Sequence, residues 1–228
     1  MRRTFGLIPL VLLALAGIWF GGGEGRTGAA RAPAPAGGDS SDDGYILALS
    51  WSPAWCEEDD PHGKTRQCAA DADLGLVVHG LWAGSREDSR VYCRTGEPER
   101  LPADLARQVL TYMPSVGLAR HEWKKHGSCM GLGQRGYFDT MERAWRTIRT
   151  PEALRPGQAP RQMTSAALRR DFLASNPRLP ADSVRFQCDR EGDFSEVRIC
   201  LTSGLEGRAC PSPARGNCPA TISILPPP

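Results

Sequence analysis

Runs patterned for strands and runs patterned for helices follow one another along the chain. YILALSW, Tyr45 to Trp51, is apolar at nearly every position, rich in strand formers and closed by Ser52-Pro53, which predicts a buried strand. LGLVVH, Leu74 to His79, alternates: Leu74, Leu76 and Val78 fall on one face and Gly75, Val77 and His79 on the other, so the histidine points away from the leucines. Helical spacing takes over in the middle. Residues 102 to 113 put Leu105, Val109 and Tyr112 on one face behind a starting proline, 138 to 148 do the same with Met141, Trp145 and Ile148, and Ser165 to Ser175 stops at Asn176-Pro177. The last quarter returns to strands at 183 to 188, 196 to 201 and 221 to 225. Strands, then helices, then strands predict an α+β domain, a central antiparallel sheet with helices grouped to one side.

Ahead of these runs the pattern is different. Arg2 and Arg3 precede an apolar run of 14 residues, Leu7 to Phe20, shorter than the roughly 20 that a membrane span needs. This predicts a secretory signal over residues 1–22, a flexible Gly, Ala, Pro, Arg and Ser tether over 23–43, and a single domain over 44–228. The protein is expected to be exported, periplasmic or extracellular, with no membrane contact beyond the leader.

Export changes the meaning of the cysteines. There are eight, at 56, 68, 93, 129, 188, 200, 210 and 218, none in a C-x-x-C pair, which favours disulfides over zinc. The turn-rich stretch from Cys56 to Cys68 suits a loop closed by its own disulfide, with His62 an ordinary exposed histidine within it. A net charge of +2 gives no reason to expect an electrostatic coat for nucleic acid. Its make-up is more informative: lysine occurs only at 64, 124 and 125, and histidine only at 62, 79, 121 and 126. Two of each fall in one stretch, RHEWKKHGSCM, residues 120 to 130.

Taken as a short helix, Arg120 to His126, ended by Gly127 in a left-handed cap, that stretch places His121, Lys125, Glu122 and His126 near about 0°, 40°, 100° and 140° around the axis. All four share one face, and Trp123 points elsewhere, toward the core. A zinc helix of the H-E-x-x-H kind needs its histidines four apart; here they are five apart, about 140° from each other, with a lysine between them, so no metal is expected. A salt-bridged solvent face is the plainer alternative, since Glu122 and Lys125 are i,i+3 neighbours. The concentration of scarce residue types in six positions favours a functional face.

Imidazoles titrate near about pH 6.5, so one can accept a proton while another, charged, donates one. A lysine can stabilise developing negative charge, and a glutamate can orient a histidine or hold it charged. His79, on a strand, would act from a different direction. Opposed acid and base suit in-line attack of a ribose 2′-hydroxyl on its own phosphodiester, a reaction for which DNA lacks the nucleophile.

VVHGLWA at 77 to 83 and HEWKKHGSC at 121 to 129 resemble the two active-site segments of the ribonuclease T2 family, H-G-L-W-P and H-E-W-x-K-H-G-T-C. YILALSWSPAWC at 45 to 56 is similar to that family's first core strand and first cysteine, and the resemblance spans roughly residues 44 to 225. It implies a cofactor-free endoribonuclease of low base specificity, cutting single-stranded RNA to a 2′,3′-cyclic phosphate and then a 3′-phosphate. It also implies residue roles: His126 as general base, His79 as general acid, His121 as a phosphate-binding histidine, and Glu122 and Lys125 stabilising the phosphorane. Trp82 would hold a base by stacking, with core packing as its other reading; Trp51 and Trp55 are read as structural. The disulfides implied are Cys56–Cys68, Cys93–Cys129, Cys188–Cys218 and Cys200–Cys210, the second fixing the residue just after the motif helix. Ala83 stands where the family has Pro, which is expected to loosen the turn after Trp82, and Ser128 stands where it has Thr. The rival readings are a secreted RNA-binding module of the same fold without catalysis and a metal-dependent hydrolase. A monomer is expected.

Overall fold

In chain order the elements are β1 (Tyr45–Trp51), α1 (Ser52–Asp59), β2 (Leu76–Ala83), α2 (Ala103–Val109), α3 (Val116–Lys125), α4 (Gly133–Arg146), β3 (Arg161–Thr164), α5 (Ser165–Ser175), β4 (Val184–Cys188), β5 (Phe194–Leu201) and β6 (Thr221–Ile224), with short 3-10 turns after α3, after α4 and before β4. The computed structural model describes residues 44–84, 90–156, 161–211 and 216–226, so the expected leader and tether lie outside the described residues.

Four strands form one antiparallel sheet in the order β2, β1, β5, β4. β1 lies inside it, and its Leu47, Ala48 and Leu49 are fully buried, as a central strand covered on both faces requires. The α+β architecture read from the sequence is the one observed. Register assigns the faces. Leu47 and Leu49 of β1 pair with Ile199 and Val197 of β5 and with Leu81 and Val78 of β2, and this apolar face meets α4. Ser50 pairs with Val77 and Glu196, so these three lie on the opposite face.

β2 carries one extra residue. Ala48 pairs with Gly80 and Leu49 with Val78, leaving His79 between them as a bulge. In a regular strand His79 and Trp82, three apart, would point to opposite faces; the added residue restores them to one side. Their rings meet edge to face at 5.3 Å.

Several element boundaries differ from the pattern-based ones, each for a local reason. The strand expected at 74 to 79 runs instead from Leu76 to Ala83, because β1 supplies partners as far as Ala83. Ala83 is the last residue of β2, and the next residue, Gly84, donates to the Gly44 carbonyl at 3.0 Å. α1 takes up Cys56 to Asp59, so the loop read from Cys56 begins later, with Pro53 in the helix's first turn. α2 stops at Val109 rather than 113, and the Tyr112 carbonyl accepts from Val78 N at 2.9 Å, covering the free edge of β2. α4 begins at Gly133, five residues before its apolar periodicity starts. α5 spans Ser165–Ser175 as expected, with Thr164 Oγ1 accepting from Ala167 N at 3.1 Å as its cap. β6 stays out of the main sheet and pairs with β3, a strand the pattern does not mark. Disulfides join Cys56 to Cys68, Cys93 to Cys129, Cys188 to Cys218 and Cys200 to Cys210.

Candidate active site

α3 starts at Val116, four residues earlier than the motif alone indicates, because Ser115 caps it by accepting from Leu118 N at 3.0 Å. At its other end the expected left-handed glycine is not found. Gly127 opens a 3-10 turn, and its role is close packing: a Cβ there would run into the Trp123 and Tyr137 rings. Trp123 is buried as expected, packed on Tyr137.

With Trp123 anchored, Glu122 turns inward and becomes 1% exposed. Its Oε2 accepts from Trp82 Nε1 at 2.9 Å, and three imidazole Nε2 atoms surround the carboxylate: His79 at 3.7 Å, His121 at 4.0 Å and His126 at 4.0 Å. Gly80 makes this possible. Any side chain there would collide with the Glu122 carboxylate, so the glycine between His79 and Trp82 is what lets α3 deliver its glutamate to β2. Lys125, half-buried, lies close enough to Glu122 and His126 to influence both charges, whereas Lys124 pairs with Glu99 at 2.9 Å.

The two motifs therefore bring His79, Trp82, His121, Glu122, Lys125 and His126 into one cluster. Two further members come from neither motif. His79 Nδ1 bonds Glu196 Oε2 at 2.8 Å, and the other oxygen of Glu196 accepts from Arg198 Nε at 2.6 Å. The Arg198 guanidinium in turn lies over the Trp82 ring, 5.0 Å from its centroid. The signal for this pair is visible in retrospect: EVRICL alternates charged Glu196 and Arg198 with apolar Val197 and Ile199, so both charges share the face that carries His79.

Burial opposes charge on His79, Glu122, His126 and Glu196, and neighbours decide which way each is shifted. Burial works against charge on His79, but the hydrogen bond and charge of Glu196, with Glu122 behind, outweigh it and raise its pKa above 6.5. Among the described residues, His126 has no carboxylate within hydrogen-bond reach; burial, then Lys125, His121 and His79, push it down to about 4. Burial lifts Glu122 above the usual carboxylate value, although His79, the Trp82 hydrogen bond, His121 and Lys125 pull it back. For Glu196 burial is again the largest influence, yet His79 and Arg198 overcome it and hold the carboxyl low.

The Cys93–Cys129 disulfide ties the turn after α3 to the segment between β2 and α2, and Tyr92 N donates to the Lys125 carbonyl at 2.9 Å. Ser128 bonds the Lys124 carbonyl through its hydroxyl at 2.9 Å. Beside His79 a cavity of about 210 Å³ is lined by Ser50, Trp55, Gln67, Ser115 and Leu118, so Trp55 borders open space, unlike Trp51, which is 1% exposed.

Residues 42–210 match the model of the Ribonuclease T2 family. The chain belongs to the ribonuclease T2 family. Among curated relatives, a probable ribonuclease of Haemophilus influenzae is 34% identical, covering 48% of this chain and 44% of that protein. Ribonuclease I of Escherichia coli is 28% identical, covering 80% and 85% respectively. A ribonuclease of Aeromonas hydrophila is 39% identical over 41% of its own length, so the chain spans under half of two of these relatives. Solved T2-type folds superpose over nearly their whole length: an RNase-related protein from Calystegia sepium (TM-score 0.61, 20% identity, 81% of this chain and 97% of that one) and ribonuclease MC1 from bitter gourd seeds (0.55, 20%, 79% and 98%).

Proposed function

We propose that the protein is an exported endoribonuclease that cleaves single-stranded RNA without a metal or other cofactor, by transesterification to a 2′,3′-cyclic phosphate and then hydrolysis to a 3′-phosphate. One observation carries this reading: His79 and His126 face the same buried glutamate from a strand and a helix, and their environments push their pKa values in opposite directions. A neutral imidazole opposite a charged one is the pair that in-line displacement needs.

His126, kept neutral, takes the proton of the 2′-hydroxyl as the O2′–P bond forms. His79, kept charged, gives its Nε2 proton to O5′ as the P–O5′ bond breaks. The cyclic ester is opened by the reverse assignment, His79 taking a proton from water and His126 returning one to O2′. His121, half-exposed at the rim, and Lys125 bind the phosphate and offset charge on the phosphorane, while buried Glu122 holds the three imidazoles in relation to one another. Trp82 serves this arrangement first as the donor to Glu122. Low base specificity follows from chemistry directed at the ribose phosphate rather than at a base edge. A mutant of ribonuclease MC1 was solved in complex with 5′-GMP, in keeping with a nucleotide ligand at this fold. Four disulfides support an oxidising compartment, and among the described residues no helix is long and apolar enough to cross a membrane.

The test is to incubate purified, oxidised protein with RNA in excess chelator and look for cyclic-phosphate ends. Cleavage under chelation is expected. Cleavage that requires added metal, or binding with no cleavage in either condition, would overturn the proposal.

A further inference from the structure

Glu196 occupies an unusual place for a carboxylate. It is 7% exposed, in the interior of the sheet on β5, yet both of its oxygens are bonded: one to His79 Nδ1 and the other to Arg198 Nε. A lone carboxylate so buried would take up a proton; Arg198, two residues on and therefore on the same face, supplies the compensating charge. Arg198 is itself parked against Trp82, whose indole N–H goes to Glu122. The contacts run in a closed path from His79 through Glu196, Arg198, Trp82 and Glu122 back to His79 Nε2 at 3.7 Å.

We propose that Glu196, clamped by Arg198, is a positioning residue for His79: it holds the Nδ1–H toward its own carboxylate so that Nε2 alone faces the scissile phosphate. The assignment rests on His79 acting as the acid in the reaction proposed above. Its consequence is a fixed tautomer. When Nε2 has given its proton to O5′, the neutral ring keeps its remaining proton on Nδ1, in the bond to Glu196. The bare Nε2 lone pair is then already aimed to take a proton from the water that opens the cyclic ester, and no ring flip or proton migration separates the two stages. Among the described residues, the charged and titratable groups facing His79 are Glu196 and Arg198 from β5, Glu122 and His126 from the α3 region, and Arg66 across the cavity that His79 lines; of these, Glu196 is the one in direct hydrogen-bond contact.

The decisive comparison is Glu196→Gln, which keeps shape and removes charge, in the full oxidised chain. Two readouts are taken: the pH dependence of kcat/KM on RNA, and the titration of His79 followed by NMR, which does not depend on activity. The basic limb and the His79 pKa should both move down by about one unit or more, with kcat reduced about tenfold or more and KM nearly unchanged. Arg198→Met removes a charge that opposes protonation of His79, so the titration and the basic limb should not fall as they do in Glu196→Gln, while the loosened carboxylate lowers kcat by less. An unshifted His79 titration in Glu196→Gln overturns the proposal, as does a shifted titration that leaves the basic limb where it was. If the wild-type protein fails to cleave RNA, or if His126→Ala retains full activity, the underlying enzymatic reading is what has failed, a result recognisable without the Glu196 variant.

Discussion

The strand-borne and helix-borne sides of the site hold the same residue type and treat it in opposite ways. His79, on β2, has a carboxylate at 2.8 Å that outweighs the cost of burial. His126, at the end of α3, has the Glu122 carboxylate at 4.0 Å and a lysine beside it. A bonded carboxylate on one side, and burial with cationic neighbours on the other, shift the two imidazoles in opposite directions. The two sides are also built differently: the helix side is fastened by a disulfide and a buried tryptophan, the strand side by backbone pairing and a bulge.

The severest way to break the comparison is to remove either histidine. His79→Ala and His126→Ala should each cost about 10²–10⁴-fold in kcat with an unchanged melting profile; near-normal turnover in either would dissolve the acid and base pairing. Next comes the meeting point of the two sides. Gly80→Ala drives a methyl group into the Glu122 carboxylate, and displacement of the glutamate should lower kcat by about 100-fold, detectable in steady-state assays of a protein that still folds. The helix side can be loosened alone by Cys93→Ser with Cys129→Ser. About 2–4 kcal/mol of stability should disappear in a denaturant titration, with activity at low temperature falling less than in the histidine variants. The gentlest probe is pH. With His126 as the proposed base and His79 as the proposed acid, kcat/KM should rise as pH increases through about 4 and fall as pH passes the raised pKa of His79. A profile flat across both limbs would remove the electrostatic contrast.

The helix side is the more legible of the two in the sequence. Its residues are consecutive, helical spacing places them, and rarity of histidine and lysine marks them. Alternation places His79 on a strand, pointing away from the leucines, but Trp82 joins it only through the resemblance, since strict alternation sets the two on opposite faces and nothing in the residues announces a bulge. Glu196 and Arg198 are harder still. Alternating charges on a strand usually mean a wet face, and only the sheet order, which places β5 beside β1, brings them under His79. The small ribbon of β3 and β6 escapes for a related reason: a partner distant in the chain decides whether four residues become a strand.

The bulge at His79 bears on any attempt to rebuild this chemistry elsewhere. A designer copying His79, Gly80, Leu81 and Trp82 onto an uninterrupted strand of another scaffold would find the imidazole and the indole on opposite sides of the sheet. The four letters are portable only together with an irregularity they do not spell, so the smallest transferable unit is the histidine segment plus the neighbouring strand that leaves it unpaired.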